Sequence, residues 1–470
     1  MNITSEVTTW GMIMFNSERR RVVLEKRMTI VESKIGKTLI SISISILLVS
    51  LILPLQAYGY SNSSSYLVTS SYDPDIDSLI VEIMRENHIP SLATALIRDN
   101  NIIWAKGYGE QPEIDTVYMI GSITKTFTTI ALLQLYEQSY FDLDDDVNDY
   151  LPFTLRNPLY PNIPITFRML LSHTSSLGGY TENLELHTYS DGLERVGLEE
   201  MIPEWPSYPD WFREYFLPNG SVYEASVWTT YEPGTRWNYS NVGFTLLAYL
   251  LEIMTDQLVN QYVEENILVP LGMDNTGYNF SDIEDINKLA TPYAFKWDDD
   301  PNTTGNTAYP HYNFLGKGSG GMRSNILDLA RYSLLFSHAG VSNGTRILSE
   351  ESVNLITQDY LGWLDFGPNW DGHGGDIFGF ISHMIINLGR GTLVPYEVIV
   401  FTNQWYSLDA NLNLTYTISD IVYEIDKNLY LFTNSSSNTT AAPGFTIIWI
   451  VCFLLISSIY FKKIRKCKPV

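Results

Sequence analysis

Met119-Ile120-Gly121-Ser122-Ile123-Thr124-Lys125-Thr126-Phe127-Thr128-Thr129-Ile130 runs without a break into Ala131-Leu132-Leu133-Gln134-Leu135-Tyr136-Glu137. Apolar residues recur at Phe127, Ile130, Leu133 and Leu135, close to a 3.6-residue period, which predicts a helix. Gly121 and Ser122 stand where that helix should begin. A serine there feels the positive end of the helix dipole and has free backbone N–H groups beside it. Lys125, three residues on, falls on the same face one turn away. A hydroxyl with an amine to take or shuttle its proton, at a helix end that favours negative charge, is set up as a nucleophile. The plain alternative is a helix-capping Ser122 beside a surface Lys125.

A single Ser-x-x-Lys is expected about twice by chance in a chain this long, so its company decides. Tyr239-Ser240-Asn241 follows downstream, within Arg236-Trp237-Asn238-Tyr239-Ser240-Asn241-Val242-Gly243. His373-Gly374-Gly375 comes later, within Gly372-His373-Gly374-Gly375-Asp376-Ile377-Phe378-Gly379-Phe380. A nucleophile, then a tyrosine, then a glycine-rich strand resembles the serine β-lactamases and penicillin-binding proteins, with their S-x-x-K, S-D-N and K-T-G set. The flanks strengthen the resemblance: Leu143-Asp144-Asp145-Asp146-Val147, Leu170-Leu171-Ser172-His173-Thr174-Ser175-Ser176-Leu177, Glu232-Pro233-Gly234-Thr235, Pro270-Leu271-Gly272-Met273 and Gly320-Gly321-Met322-Arg323-Ser324. It points to the class C-like branch, which includes esterases and D-aminopeptidases, and covers roughly residues 77–426.

The resemblance implies an α/β (α+β) fold of the β-lactamase/transpeptidase type: an antiparallel sheet flanked by helices, with a mostly helical insert. It implies that Ser122 attacks a carbonyl to form an acyl-enzyme and that Lys125 holds the proton network. Tyr239 would share the base role and pass the proton to the leaving group; a phenol with a pKa near 10 needs a cationic neighbour for this, and Lys125 is the candidate. Asn241 would orient Lys125 and the substrate amide. His373, Gly374 and Gly375 would line one edge of the site, where glycines allow close approach of a substrate backbone. The backbone N–H groups of Ser122 and Asp376 would form the oxyanion hole. The chain departs from β-lactamases in carrying His373 where they carry lysine, and histidine is frequent on the esterase and D-aminopeptidase side. An unperturbed His373 would be mostly neutral at pH 7 and would charge as pH falls. The family histidine matching His173 is structural, so His173 is not expected to pair with Ser122 as in a triad; Ser176 stands where the family usually has glycine.

The remaining sequence orders itself around this core. A helix is predicted over 77–87, and strands over 92–98 and 102–107 form a hairpin across Asp99-Asn100-Asn101. Strands are also predicted over 382–387 and 396–403, and a closing helix over 416–429. The stretch 179–231 is rich in aromatic residues, including Trp205, Trp211, Phe212, Tyr215, Phe216 and Trp228. It reads either as a hydrophobic subdomain or as a lid over the site. Asp298-Asp299-Asp300 lacks regular calcium-ligand spacing and reads as a solvated loop. Nothing resembles a zinc site or a nucleotide loop, so no metal or cofactor is expected.

The 470 residues carry a formal charge of −24, unevenly spread. Between residues 37 and 462 there are 17 basic and 49 acidic residues, a net of −32, which disfavours nucleic acid as a partner. Residues 39–55 form an apolar run after Lys34 and Lys37, read as a signal-peptide core or a short membrane anchor, with Met28 a second candidate start. Residues 445–461 form an apolar run of about one bilayer, followed at once by Lys462, Lys463, Arg465, Lys466 and Lys468. The expected layout is therefore an N-terminal region 1–60, a linker 61–76, and a hydrolase domain 77–430 with an insert at about 140–318. A polar stalk 431–444, a membrane helix 445–461 and a cytoplasmic tail 462–470 complete it. Cys452 and Cys467 lie in the last two, so the outer domain has no thiol chemistry. The function expected is a membrane-anchored, outward-facing hydrolase of a small ester, amide or peptide. A β-lactamase, or a penicillin-binding surface protein that acylates without efficient turnover, is the alternative. Substrate stereochemistry and oligomeric state stay open.

Overall fold

The computed structural model describes residues 74–98, 101–178, 208–221, 223–295, 305–308, 311–314, 316–367, 370–388 and 395–405. The expected membrane segments, both cysteines, residues 61–73 of the linker, the stalk, the 416–429 helix and Asp298-Asp299-Asp300 lie outside these residues, while residues 74–76, expected in the linker, already belong to the first helix. Among the described residues no single helix is long and apolar enough to cross a membrane.

The chain enters through α1 (Pro74–Glu86) and the hairpin β1 (Ser91–Arg98) and β2 (Asn101–Gly109). Asp77 of α1 accepts hydrogen bonds from Lys106 Nζ at 2.5 Å and Tyr108 Oη at 2.7 Å, tying the helix to β2. The sheet is completed only at the far end of the described chain, by β3 (Leu364–Gly367), β4 (Trp370–Ile377), β5 (Phe380–Asn387) and β6 (Tyr396–Thr402). The strand order is β2-β1-β6-β5-β4-β3, antiparallel throughout. The first and last strands thus sit side by side, Leu96 opposite Val398, with the helical region inserted between them as expected. β5 and β6 are buried at every position rather than every second one, so both of their faces are covered. The helix Ile326–Ser337 packs on β1, β5 and β6.

Between the two halves of the sheet run α2 (Thr124–Glu137), α3 (Phe167–Leu171), α4 (Tyr208–Phe216), α5 (Asn241–Thr255) and α6 (Ile326–Ser337). The predicted one-sided stripe on α2 is too narrow: the helix is buried from Thr124 through Leu133 without a break. Its threonines tolerate this because each hydroxyl donates to a carbonyl: Thr124 to Gly121, Thr126 to Ile123, Thr128 to Gly318 and Thr129 to Lys125, at 2.6 to 2.9 Å. In the aromatic stretch, Phe212, Tyr215 and Phe216 of α4 are buried. The Phe212 ring stands 5.5 Å from Tyr249 and 6.3 Å from Phe153, so these residues form core, the subdomain reading. Residues 179–207 of the same stretch lie outside the described residues.

Candidate active site

Ser122 does not cap a helix. A 3-10 turn over Gly121–Ile123 precedes α2, and neither start has a side-chain cap hydrogen bond. The turn is forced by Gly121, whose φ is +49°. A Cβ on Gly121 would lie 2.9 Å from the Asp376 nitrogen and 3.1 Å from Gly375 Cα. Only glycine lets the turn lie so close to β4. The fit is reciprocal: a Cβ on Gly375 would meet the Ile120 carbonyl oxygen at 2.0 Å and Ser382 Oγ at 2.3 Å. The two glycine positions bring the start of α2 against β4, with the Asp376 nitrogen beside the turn that carries Ser122.

Lys125 is fully buried. Its Nζ lies 3.0 Å from Ser122 Oγ, 2.7 Å from Asn241 Oδ1 and 2.6 Å from the Ser319 carbonyl oxygen. Burial holds its pKa well below the ordinary lysine range. As a neutral amine it has two N–H donors and one lone pair. Asn241 and Ser319 offer only acceptors, so they take the two N–H groups. When Lys125 gives up its proton, the lone pair is left for the Ser122 hydroxyl, which is how a base must face a nucleophile; while it holds the proton, Nζ donates to Ser122 Oγ instead. The alternative of a surface lysine is excluded. Ser319, which sequence reading does not single out, acts through its backbone carbonyl. The only trace is the glycine-dense run Gly318-Ser319-Gly320-Gly321, where Gly318 has φ +94° and no space for a Cβ against Ala248.

Tyr239 and Asn241 come from the segment entering α5, capped by Ser240 Oγ, which accepts from the Gly243 N–H at 3.2 Å. Lys125 Nζ lies 4.9 Å from the centre of the Tyr239 ring and 5.7 Å from that of Phe244. This is cation–π range for the amine whenever it holds a proton.

His373 lies on β4 and is buried, with its ring 6.2 Å from Tyr239. Its Nδ1–H donates to the Gly374 carbonyl at 2.5 Å, which leaves Nε2 as an acceptor with no partner among the described residues. Burial, with Lys125 nearby, pushes its pKa down to about 3. The expectation that His373 charges as pH falls through the mildly acidic range is therefore overturned: its site cannot hydrate an imidazolium. Gly374 pairs with His383 on β5, and Asp376, exposed, with Ile381.

His173 is no triad partner. Its Nδ1 accepts the Ser240 N–H at 3.1 Å and its ring packs at a tilt against that of Tyr239, 4.4 Å between centres. Ser176, at the family's glycine position, adopts φ +69° and is held there by bonds to Asn157 Nδ2 at 2.6 Å and the Tyr231 carbonyl at 2.7 Å. Trp237 stands 57% exposed with its ring 6.2 Å from Tyr239. Among the described residues no cluster of three His, Cys, Asp or Glu could hold a metal ion.

The structure thus brings Ser122, Lys125, Asn241 and the rings of Tyr239 and His373 close together, with Gly375 and the Asp376 nitrogen against the turn that carries Ser122. The Beta-lactamase family model matches residues 76–422. "Beta-lactamase-like protein 4" of Dictyostelium discoideum is 26% identical over 404 residues, covering 81% of this chain. The chain spans 62% of that relative's length. Two solved structures share the fold. The octameric penicillin-binding protein homologue from Pyrococcus abyssi has a TM-score of 0.57 at 24% identity, covering 70% of this chain and 73% of that one. A D-stereospecific amidohydrolase from a Streptomyces species has a TM-score of 0.52 at 25% identity, covering 71% and 95%. With a family match running from within α1 to beyond β6, the chain belongs to the Beta-lactamase family, a family of serine hydrolases.

Proposed function

We propose that the chain hydrolyses a small ester or amide, neutral or bearing a free amine, through an acyl-Ser122 intermediate. The observation that carries this is the buried Lys125 amine, 3.0 Å from Ser122 Oγ with its other two contacts on the Asn241 and Ser319 oxygens. Lys125 Nζ takes the Ser122 proton as Oγ bonds to the substrate carbonyl carbon. The carbonyl oxygen becomes an oxyanion facing the backbone N–H groups of Ser122 and Asp376. Tyr239 receives the Ser122 proton from Lys125 and passes it to the leaving group as its bond breaks; water then adds to the acyl carbon, giving a proton to Lys125, and Ser122 Oγ leaves as it takes that proton back. His373, held neutral with an acceptor nitrogen, suits a substrate that offers a donor rather than a carboxylate, and the domain's net of −32 acts in the same direction. The Streptomyces amidohydrolase supports an amide of D stereochemistry as one such substrate.

The test is labelling with a fluorophosphonate probe and mapping of the adduct. Ser122→Ala should abolish labelling and ester hydrolysis while the protein stays folded; an adduct on another serine defeats the assignment.

The location outside the membrane, anchored by residues 445–461, belongs to the same proposal and rests on that apolar run and the five basic residues after it. A chain trimmed to about residues 61–434 should leave the membrane fraction. If it stays, another membrane contact exists.

A further inference from the structure

We infer that His173 is the positioning residue of Tyr239, holding the tyrosine ring and the backbone N–H groups of the residues before and after it. This rests on the reading above, in which Tyr239 transfers the leaving-group proton. The His173 carbonyl accepts the Asn238 N–H at 2.7 Å and its Nδ1 accepts the Ser240 N–H at 3.1 Å. The N–H groups of Asn238 and Ser240, the residues on either side of Tyr239, therefore end on one residue. The imidazole completes the hold, packed at a tilt against the Tyr239 ring at 4.4 Å and 31° and against Phe244 at 5.0 Å and 40°.

His173 is itself fixed. It follows α3, where its own N–H donates to the Leu170 carbonyl and the Thr174 N–H to Met169. It adopts φ +56°, a left-handed conformation that histidine and asparagine enter more readily than most residues. Next to it, the Gly362 N–H donates to the Leu171 carbonyl, anchoring the end of α3 to the rest of the domain. Because Nδ1 is an acceptor, the ring proton sits on Nε2. A second proton on Nδ1 would break the Ser240 bond. Burial, with Lys125 and His373 nearby, opposes that protonation.

Asparagine separates the two parts of the hold. It tolerates the same φ, and its Oδ1 stands where Nδ1 stands along the side chain, so His173→Asn keeps the acceptor for Ser240 and loses the ring. His173→Ala loses both. The assay compares p-nitrophenyl acetate, whose leaving group departs as a stable anion, with ethyl acetate, whose alkoxide needs a proton. Tyr239→Phe is the reference. If His173 acts through Tyr239, His173→Asn should stay folded at the assay temperature, with a Tm lowered by a few degrees for the buried ring it loses, and lower kcat on ethyl acetate about tenfold. On p-nitrophenyl acetate it should change kcat less than threefold, with KM steady on both. His173→Ala should lose about 100-fold on ethyl acetate, the scale of a misplaced catalytic group. In the Tyr239→Phe background, His173→Asn should have no further effect, the non-additivity of a residue acting through its neighbour. Equal losses on both esters, or the same loss with and without Tyr239, overturn the inference and assign His173 to general packing. An inactive Tyr239→Phe beside a fully active His173→Asn also overturns it. A fully active Tyr239→Phe, or a native protein inactive on both esters, defeats the functional reading itself, and the inference with it.

Discussion

Lys125→Met separates what the amine does for stability from what it does for chemistry. Methionine reaches about as far along the chain as lysine but carries no amine. The change deletes three contacts, to Ser122 Oγ, Asn241 Oδ1 and the Ser319 carbonyl. Each hydrogen bond contributes about 0.5–1.5 kcal/mol net, and a buried acceptor left alone costs about 1–3 kcal/mol. Against this, the mutation removes the cost of burying a group that is protonated in the unfolded chain at pH 7 and must shed its proton or its water in the fold, an effective penalty of several kcal/mol. The opposed terms are of similar size, so stability should stay within about 2 kcal/mol of the native chain, or about 3 °C in Tm for a domain of this size. Activity has no such offset. Losing a general base lowers the rate about 10²–10⁴-fold, roughly 2.7–5.5 kcal/mol of barrier. The pH dependence gives a further sign. Burial depresses the folded pKa of Lys125 below the unfolded value of 10.5, so the unfolded chain binds more protons between the two. The contribution of Lys125 to stability is complete above pH 10.5 and declines as pH falls toward the folded value. Methionine has no such decline, so the mutant should gain on the native chain as pH drops from 10 to 7. Denaturant unfolding at several pH values and the fluorophosphonate labelling rate measure both effects. A rate loss below tenfold, or a mutant that loses ground as pH falls, refutes the assignment of Lys125 as a buried, neutral base.

Three further outcomes follow from other parts of the structure. On one preparation, p-nitrophenyl acetate or D-alanine p-nitroanilide should exceed a chromogenic cephalosporin in kcat/KM. With the His373 pKa at about 3, anionic substrates should not gain between pH 7 and 5 through this residue; a tenfold relative gain there would show that His373 takes a proton in the site. Glu397 is fully buried on β6, accepts from Ser333 and Ser337 of α6, and has its pKa pushed up from 4.5 to about 7. Its contribution to stability is full below pH 4.5 and is lost as pH rises to about 7, on the order of 3 kcal/mol. Glu397→Gln should flatten that part of the stability–pH curve, and an unchanged curve would contradict the buried carboxyl. Trp237 is 57% exposed beside Tyr239, so Trp237→Ala should raise KM for aryl esters severalfold with stability changed by less than about 0.5 kcal/mol. An unchanged KM would remove it from the binding surface.

The sequence alone determined the parts whose chemistry is local or strictly ordered. Ser122 and Lys125 are one helical turn apart, so their proximity follows from helix geometry, and the ordered companions Tyr239, Asn241 and His373-Gly374-Gly375 named the family and its sheet. Runs such as Phe380–Asn387 and Tyr396–Thr402 are apolar enough to read as strands without a structure. The parts that depend on distant segments meeting were decided only by the tertiary fold. The carbonyl of Ser319 carries no side-chain signature, because any residue has one. It becomes part of the site only where Gly318 turns the chain back onto α2. The bonds from Asn238 and Ser240 to His173 likewise join segments more than 60 residues apart, and no spacing rule reports them. The charge states of Lys125 and His373 are a matter of burial, which is a property of everything packed around a residue. Composition assigned both their ordinary pKa values. The fold removes the water that those values assume, leaving Lys125 as a base and His373 as a neutral acceptor.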